Sequence, residues 1–151
     1  MLLCFALPFA PTLAQLIALQ NAQAKWARAG GRSYTAIVSQ TCQCAANGEY
    51  RLTVVNGQVM AVEALSQIFY TPSPLLMQDL TAEASFTHAR QAILQNWSAP
   101  WNRTLEIRYD QADGHILWLR VDSGGLLTGP KEIFSDTAQI YGLRDIQLTE
   151  R

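Results

Sequence analysis

The sequence carries little charge of either sign. Charged residues make up 15% of its 151 residues, and the formal net charge is −1. Proteins that bind nucleic acid or anionic lipid electrostatically need clustered basic residues, so this composition predicts no nucleic-acid partner. The chain does contain four tryptophans and five tyrosines. These large side chains favour a packed core and exclude a disordered chain.

Catalytic and metal-binding motifs are also missing. The sequence has no nucleophile motif, no glycine-rich phosphate loop and no pair of carboxylates on one predicted element. Its two histidines, His88 and His115, lie on different elements without the spacing of metal ligands. Asp110, Asp113 and Asp122 lack the spacing of a calcium loop, and aspartates in such places usually cap turns. We therefore predict no catalytic residue, no cofactor and no metal site, and an enzyme is the less favoured interpretation.

The N-terminal segment has no charge at all before Lys25. Its apolar run starts at Leu2 and reaches a proline and small residues at positions 11–14. This pattern predicts a signal peptide over residues 1–14 and a single domain over residues 15–151. The n-region is truncated, because the usual basic residues are absent. An uncleaved membrane anchor and a first helix of the domain are the alternatives. The protein is expected to be exported, periplasmic or extracellular, with no membrane span in the mature chain.

The clearest structural signal is a β-hairpin that turns at an Asn-Gly pair, positions 56 and 57. Both residue types tolerate positive φ, which a two-residue type I′ turn requires. Such a turn would pair Val54 with Val59 and Leu52 with Ala61. Residues 34–38 alternate in the same way and predict a strand before the hairpin.

The rest of the chain predicts the fold class. Helical periodicity indicates two main helices, over residues 15–29 and 81–97. Alternation indicates further strands at residues 105–109, 116–121 and 143–148. A helix and three strands are thus followed by a second helix and three strands. This order predicts the α+β class: a single antiparallel, mostly hairpin-built sheet of about six strands, with two main helices packed on one face.

Cysteine is scarce, with three in the chain. Removal of residues 1–14 would remove Cys4 and leave Cys42 and Cys44 in a compartment that favours disulfides. In an extended strand their Cα atoms are too far apart, so the disulfide candidate Cys42–Cys44 requires a turn. We interpret the pair as a local structural staple. A redox-active dithiol and a soft-metal site through the same thiols are the alternatives.

Several marks of the sequence resemble one bacterial family. Trp26 and Tyr34 are followed by Cys42-Gln43-Cys44, by the hairpin sequence at 54–59 and by Tyr109-Asp110. Over about residues 25–148, these sequence features resemble those of the bacterial family known as domain of unknown function 6174. The resemblance implies a small secreted or lipid-anchored bacterial protein without known activity, cofactor or substrate. The chain departs from the family at His115-Ile116, where members usually carry Tyr-Pro, and in the neutral loop at 123–130, which is commonly acidic.

These observations favour a non-enzymatic binding or interaction module at the cell envelope or outside the cell. Its partner would be an envelope protein or a small ligand. Trp101, in a loop after Pro100, and His115, at the start of a strand, are the candidate surface contact residues. The alternative function is thiol-redox chemistry or metal handling through Cys42 and Cys44.

Overall fold

A six-stranded antiparallel sheet with helices on one face forms the body of the protein. The computed structural model describes residues 10–41, 47–66, 72–98, 103–123 and 139–149. This architecture confirms the predicted α+β class, the single sheet and the two main helices. The elements, in chain order, are α1 (Ala10–Ala29), β1 (Tyr34–Thr41), β2 (Gly48–Val55), β3 (Gln58–Ala64), α2 (Pro74–Met77), a 3₁₀ turn (Gln78–Leu80), α3 (Ala82–Ser98), β4 (Arg103–Tyr109), β5 (Ile116–Ser123) and β6 (Gln139–Leu148).

The strands lie in the order β3-β2-β1-β6-β5-β4. Two three-stranded meanders therefore meet where β1 pairs with β6, from Tyr34 opposite Leu148 to Thr41 opposite Ile140. The last strand, predicted as a short closing segment, has ten residues and lies at the centre of the sheet. The strand that follows α1 is central, whereas the strand that follows α3 is at an edge. The two halves are therefore not copies of one unit.

Among the described residues, the helices cover one face of the sheet, and no helix packs on the other. α1 and α3 contact each other, and α3 also contacts β4 and β5. Tyr34, Ala36 and Val38 of β1 are buried beneath this helix layer. The alternate residues of β1, Thr35 and Ile37 among them, are half-buried on the helix-free side. We call this side the open face.

The predicted hairpin is present, but its register changes after the first pairs. Val54 pairs with Val59 as predicted, whereas Leu52 pairs with Val62 and not with Ala61. Met60 is the extra residue of a β-bulge, which shifts every later pair by one residue. The prediction of uninterrupted pairing was wrong because a turn fixes only the pairs beside it.

The bulge has a chemical consequence on the open face. It brings Glu63 opposite Arg51 on β2. The two side chains form an ion pair with a distance of 2.5 Å between Arg51 Nη1 and Glu63 Oε2. Without the bulge, Arg51 would have faced the apolar Val62.

Two tyrosines from the central strands anchor the start of α3. The Tyr34 hydroxyl accepts a hydrogen bond from the Ala82 N–H (2.8 Å) and donates one to Glu83 Oε2 (3.2 Å). The Tyr141 hydroxyl donates to the Leu80 carbonyl (3.1 Å). The first N–H groups of a helix lack partners within it, so Tyr34 satisfies one that is buried. Burial raises the pKa of both tyrosines well above the ordinary value.

α1 begins at Ala10 and continues past the predicted cleavage position before Gln15. Among residues 12–29 of α1, the buried residues Leu19, Ala22 and Trp26 all follow that position, while Leu13 is 59% exposed. Within the described residues, no helix combines the length and apolar character needed to cross a membrane. The boundary between residues 14 and 15 stays a prediction.

Candidate functional site

Three of the predicted site residues, Cys42, Cys44 and Trp101, lie outside the described residues. The strands around the cysteines are described, and Gln40 of β1 pairs with Gly48 of β2. The two described strands beside the cysteine segment are antiparallel, and the disulfide candidate stays a prediction.

His115 is not the surface residue that the sequence indicated. Only 6% of it is exposed, and its Nδ1 lies 2.5 Å from Asp113 Oδ1. Its ring meets the ring of Trp26 edge to face, with 6.1 Å between the centroids. The reason is that the β4–β5 turn docks on α1, with Gly114 against the backbone carbonyl of Ala22. The prediction of a surface contact at His115 is corrected accordingly.

The aspartates of the same turn act as the sequence predicted. Asp110 Oδ1 accepts hydrogen bonds from the N–H groups of Ala112 (2.7 Å) and Asp113 (3.1 Å). Burial raises the pKa of Asp110, but these backbone hydrogen bonds and the nearby His115 and Lys25 outweigh it, so the pKa lies below the ordinary value. Asp110, Asp113 and His115 offer donor atoms within 4.8 Å of one another. Since these atoms already hydrogen-bond within the turn, the cluster stabilises the turn.

The open face presents a different chemistry, with exposed charges of both signs. Arg144 of β6 contacts Glu49 of β2 across β1, with 2.9 Å between Nη2 and Oε1. The hydrogen bond and the charge of Glu49 raise the pKa of Arg144. The same guanidinium contacts the neighbouring Asp145 at 3.0 Å. Two of the ion pairs on this face, Arg51–Glu63 and Arg144–Glu49, therefore link different strands.

A second β-bulge interrupts the central β1–β6 pair on this face. β6 supplies Asp145 and Ile146 opposite the single residue Ala36 of β1. Asp145 has a φ of 53°, a left-handed conformation that few residues other than glycine adopt. Bulges and strained backbone are more frequent next to functional sites. The bulge turns the Asp145 carboxylate out of the strand pattern, and its side chain is 62% exposed.

A cleft of about 320 Å³ lies beside this bulge. Asp145 of β6 lies at one side and Arg51 of β2 at the other, with β1 between them. Two polar residues and two apolar residues complete the lining. The lining residues are Thr35, Ala36, Ile37, Arg51, Asp145 and Gln147.

Neither Arg51 nor Asp145 is among the site residues predicted from the sequence. A signal for the bulge was nevertheless present, because Leu143 is buried and Ile146 packs against the core although they are three positions apart. Residues on one face of a regular strand are an even number of positions apart, so an odd spacing indicates an extra residue. The adjacent charges Arg144 and Asp145 mark the same position.

Comparison with known proteins identifies a family. A family model described as "Family of unknown function (DUF6174)" matches residues 18–124. The match covers most of α1 and continues through β5, so it includes Arg51 but not Asp145. No curated protein and no solved structure matches the chain significantly. The comparison confirms the resemblance that the sequence indicated.

Proposed function

The chain belongs to the family of unknown function DUF6174, and we propose that it is an exported, non-enzymatic binding module. Its open-face cleft would bind short peptides with free ends, or small molecules with the same pair of charges. The observation that carries the proposal is the position of Arg51 and Asp145 on opposite sides of one cleft. A guanidinium pairs with a carboxylate, and a carboxylate pairs with an ammonium group.

The spacing of the strands supports a ligand of this size. Arg51 and Asp145 lie on the two strands that flank β1. Neighbouring strands are about 4.8 Å apart, so these two strands are about 10 Å apart. An extended dipeptide spans about 7 Å, and the flexible arginine side chain adjusts the remaining distance. Thr35 and Gln147 offer hydrogen bonds along the cleft, and Ile37 offers a small apolar contact.

Existing ion pairs do not prevent such binding. Arg51 already contacts Glu63, and Asp145 already contacts Arg144. The Arg51 side chain is 48% exposed and that of Asp145 62% exposed. Exposed ion pairs contribute only about 0–1 kcal/mol. A ligand that brings its own carboxylate and ammonium groups can therefore replace them, and Arg144 keeps its contact with Glu49.

Titration calorimetry with dialanine tests the cleft. We expect a Kd of about 1 mM, because a ligand of this size makes few contacts. Asp145→Asn should raise the Kd about tenfold by removing the partner of the ammonium group. Arg51→Gln should do the same for the carboxylate. Acetylation of the amino end or amidation of the carboxyl end should weaken binding to a similar degree.

Matched variants on the helix side control for net charge. Asp79→Asn and Arg90→Gln make the same changes of charge at exposed positions away from the open face. They should leave the Kd of dialanine unchanged. The proposal is wrong if no binding is detected at dialanine concentrations several times the expected Kd. It is also wrong if the peptides with blocked ends bind as tightly as dialanine.

Export and the state of the cysteines are tested together by the intact mass of the protein recovered from outside the cytoplasm. We expect a chain that begins at Gln15, and a mass lower by two hydrogen atoms for a disulfide between Cys42 and Cys44. The expectation is supported by α1, in which residues 12–14 are not buried whereas Leu19, Ala22 and Trp26 are. A free, reactive pair of thiols would instead favour the alternative thiol-redox or metal-handling function. A full-length chain retained in the cytoplasm would contradict export.

A further inference from the structure

The two edges of the sheet differ in what covers them. At β3, the side-chain amide of Gln78 accepts a hydrogen bond from the Val59 N–H (3.0 Å) and donates one to the Gly57 carbonyl (2.8 Å). This amide occupies the Val59 N–H, a backbone group of β3 that an added strand would need, and the turn directly before it. At β4, no described residue outside β5 forms a hydrogen bond with the backbone of the strand. Within the described part of the chain, β4 is therefore the edge that is open to pairing.

The side chains of β4 differ sharply between its two faces. Glu106 and Arg108 lie on the open face, and Arg108 Nε donates a hydrogen bond to Glu106 Oε1 (2.8 Å). Leu105, Ile107 and Tyr109 lie on the helix side, half-buried against the core. The edge thus carries one negative and one positive charge on one face and an incompletely covered apolar row on the other.

We propose that two copies of the protein pair through β4, antiparallel, with Ile107 opposite Ile107 of the other copy. This register places Glu106 opposite Arg108 of the other copy, and two-fold symmetry repeats the pair. On the helix side it places Leu105 opposite Tyr109 of the other copy, again twice. The same register therefore matches charges on one face and apolar side chains on the other, and it joins the two sheets into one.

Neighbouring registers are less favourable. A shift of one residue would set charged side chains opposite apolar ones and would turn the helix layers to opposite faces. A shift of two residues would set Glu106 opposite Glu106, or Arg108 opposite Arg108. Like charges directly opposite each other destabilise a strand pair. The charges thus select the register, while the backbone hydrogen bonds and the apolar row supply the affinity.

The pairing is independent of the proposed ligand cleft. The cleft lies between β2 and β6, and β5 separates it from β4. A single pair of seven-residue strands buries less surface than a stable dimer needs, so the association is expected to be weak and concentration-dependent. Loss of peptide binding would leave the dimer intact, and loss of the dimer would leave peptide binding intact.

Sedimentation equilibrium of the purified protein with charge-exchange variants tests the pairing. We expect a dimer with a Kd of about 100 µM. Glu106→Arg gives the open face of β4 two positive charges, and Arg108→Glu gives the same face two negative charges. Each variant alone should raise the Kd at least about tenfold, because like charges then face each other. An equimolar mixture of the two variants should form a heterodimer, and the double variant E106R/R108E should dimerise as the native protein does.

Each outcome decides the proposal. A native protein that stays monomeric up to about 0.5 mM would overturn it, as would single variants that dimerise unchanged or a mixture that does not associate. Glu106 also lies opposite Arg120 within its own sheet, so Glu106→Arg adds repulsion inside the monomer. Thermal unfolding of each variant measures this loss of monomer stability separately from the loss of association. Restored association in the mixture and in the double variant excludes misfolding as the cause of weaker dimerisation.

Discussion

Replacement of Gly114 by alanine is expected to destabilise the protein by about 3 kcal/mol or more. Two effects add at this position. Gly114 has a φ of 84°, a conformation that costs an L-residue about 1 kcal/mol. In addition, a Cβ would collide with the backbone carbonyl of Ala22 and would lie 2.8 Å from Lys25 Cβ. The turn could accept it only by moving away from α1, which would disturb the packing of His115 on Trp26.

Gly57 offers a matched control for this substitution. It has a φ of 79°, and a Cβ there would meet nothing within 4 Å. Gly57→Ala therefore reports the backbone strain alone, about 1 kcal/mol. Urea denaturation of both variants gives their losses in the free energy of unfolding. The difference between the two losses measures how closely the β4–β5 turn is held against α1. Equal losses of stability at the two positions would show that the turn is not docked in this way.

Stability is expected to fall steeply above about pH 10, the ordinary pKa of tyrosine. Burial, followed by the charge of Glu83, raises the pKa of Tyr34, and burial raises that of Tyr141. Below pH 10 both hydroxyls are protonated in the folded and unfolded states, so their contribution is fully present. Above it the unfolded chain loses these protons while the folded protein retains them. Each tyrosine then lowers the free energy of unfolding by about 1.4 kcal/mol per pH unit, or about 3 kcal/mol for the two.

Urea denaturation at a series of pH values between about 8 and 11 measures this slope. Tyr141→Phe should lower this slope by about a third, because Tyr34 and Tyr109 still keep their protons in the folded protein over this range. The burial of Tyr109 raises its pKa to about 12, so this residue adds to the same trend. A free energy of unfolding that does not change across this range would contradict the burial of the two hydroxyls against the start of α3.

Local sequence signals were sufficient to predict the helices, the first hairpin and the α+β class. They did not give the partners of the last strand, because β1 and β6 are separated by about a hundred residues and no local pattern specifies that pairing. The same limit applies to the cleft. Arg51 and Asp145 become neighbours only when the two meanders meet at the β1–β6 pair.

The departures from regular pairing share one sequence signature. Each bulge has two core-facing residues three positions apart, where a regular strand has them two apart. These pairs of core-facing residues are Val59 and Val62, Ile116 and Leu119, and Leu143 and Ile146. The extra residue within each pair is Met60, Leu117 and Asp145, respectively. Met60 is 61% exposed and Leu117 is 39% exposed. A search for odd apolar spacings within predicted strands would have corrected the hairpin register and indicated Asp145.

His115 shows why the sequence predicted an exposed contact residue at a position that is buried. Its position directly after the turn glycine is typical of a surface residue when the hairpin is considered alone. The contact that buries it comes from α1, nearly ninety residues earlier, through Trp26. Tertiary packing of this kind leaves no trace in the local sequence around His115.

Chemical-shift mapping of the isotope-labelled protein during titration with dialanine tests the central claim most directly. The account predicts shifts confined to the open face around the bulge, in β1, β2 and β6 near Thr35, Arg51 and Asp145, and the loss of these shifts in Asp145→Asn. Shifts located in the helix layer, or none while dialanine is in large excess, would contradict a ligand cleft on the open face.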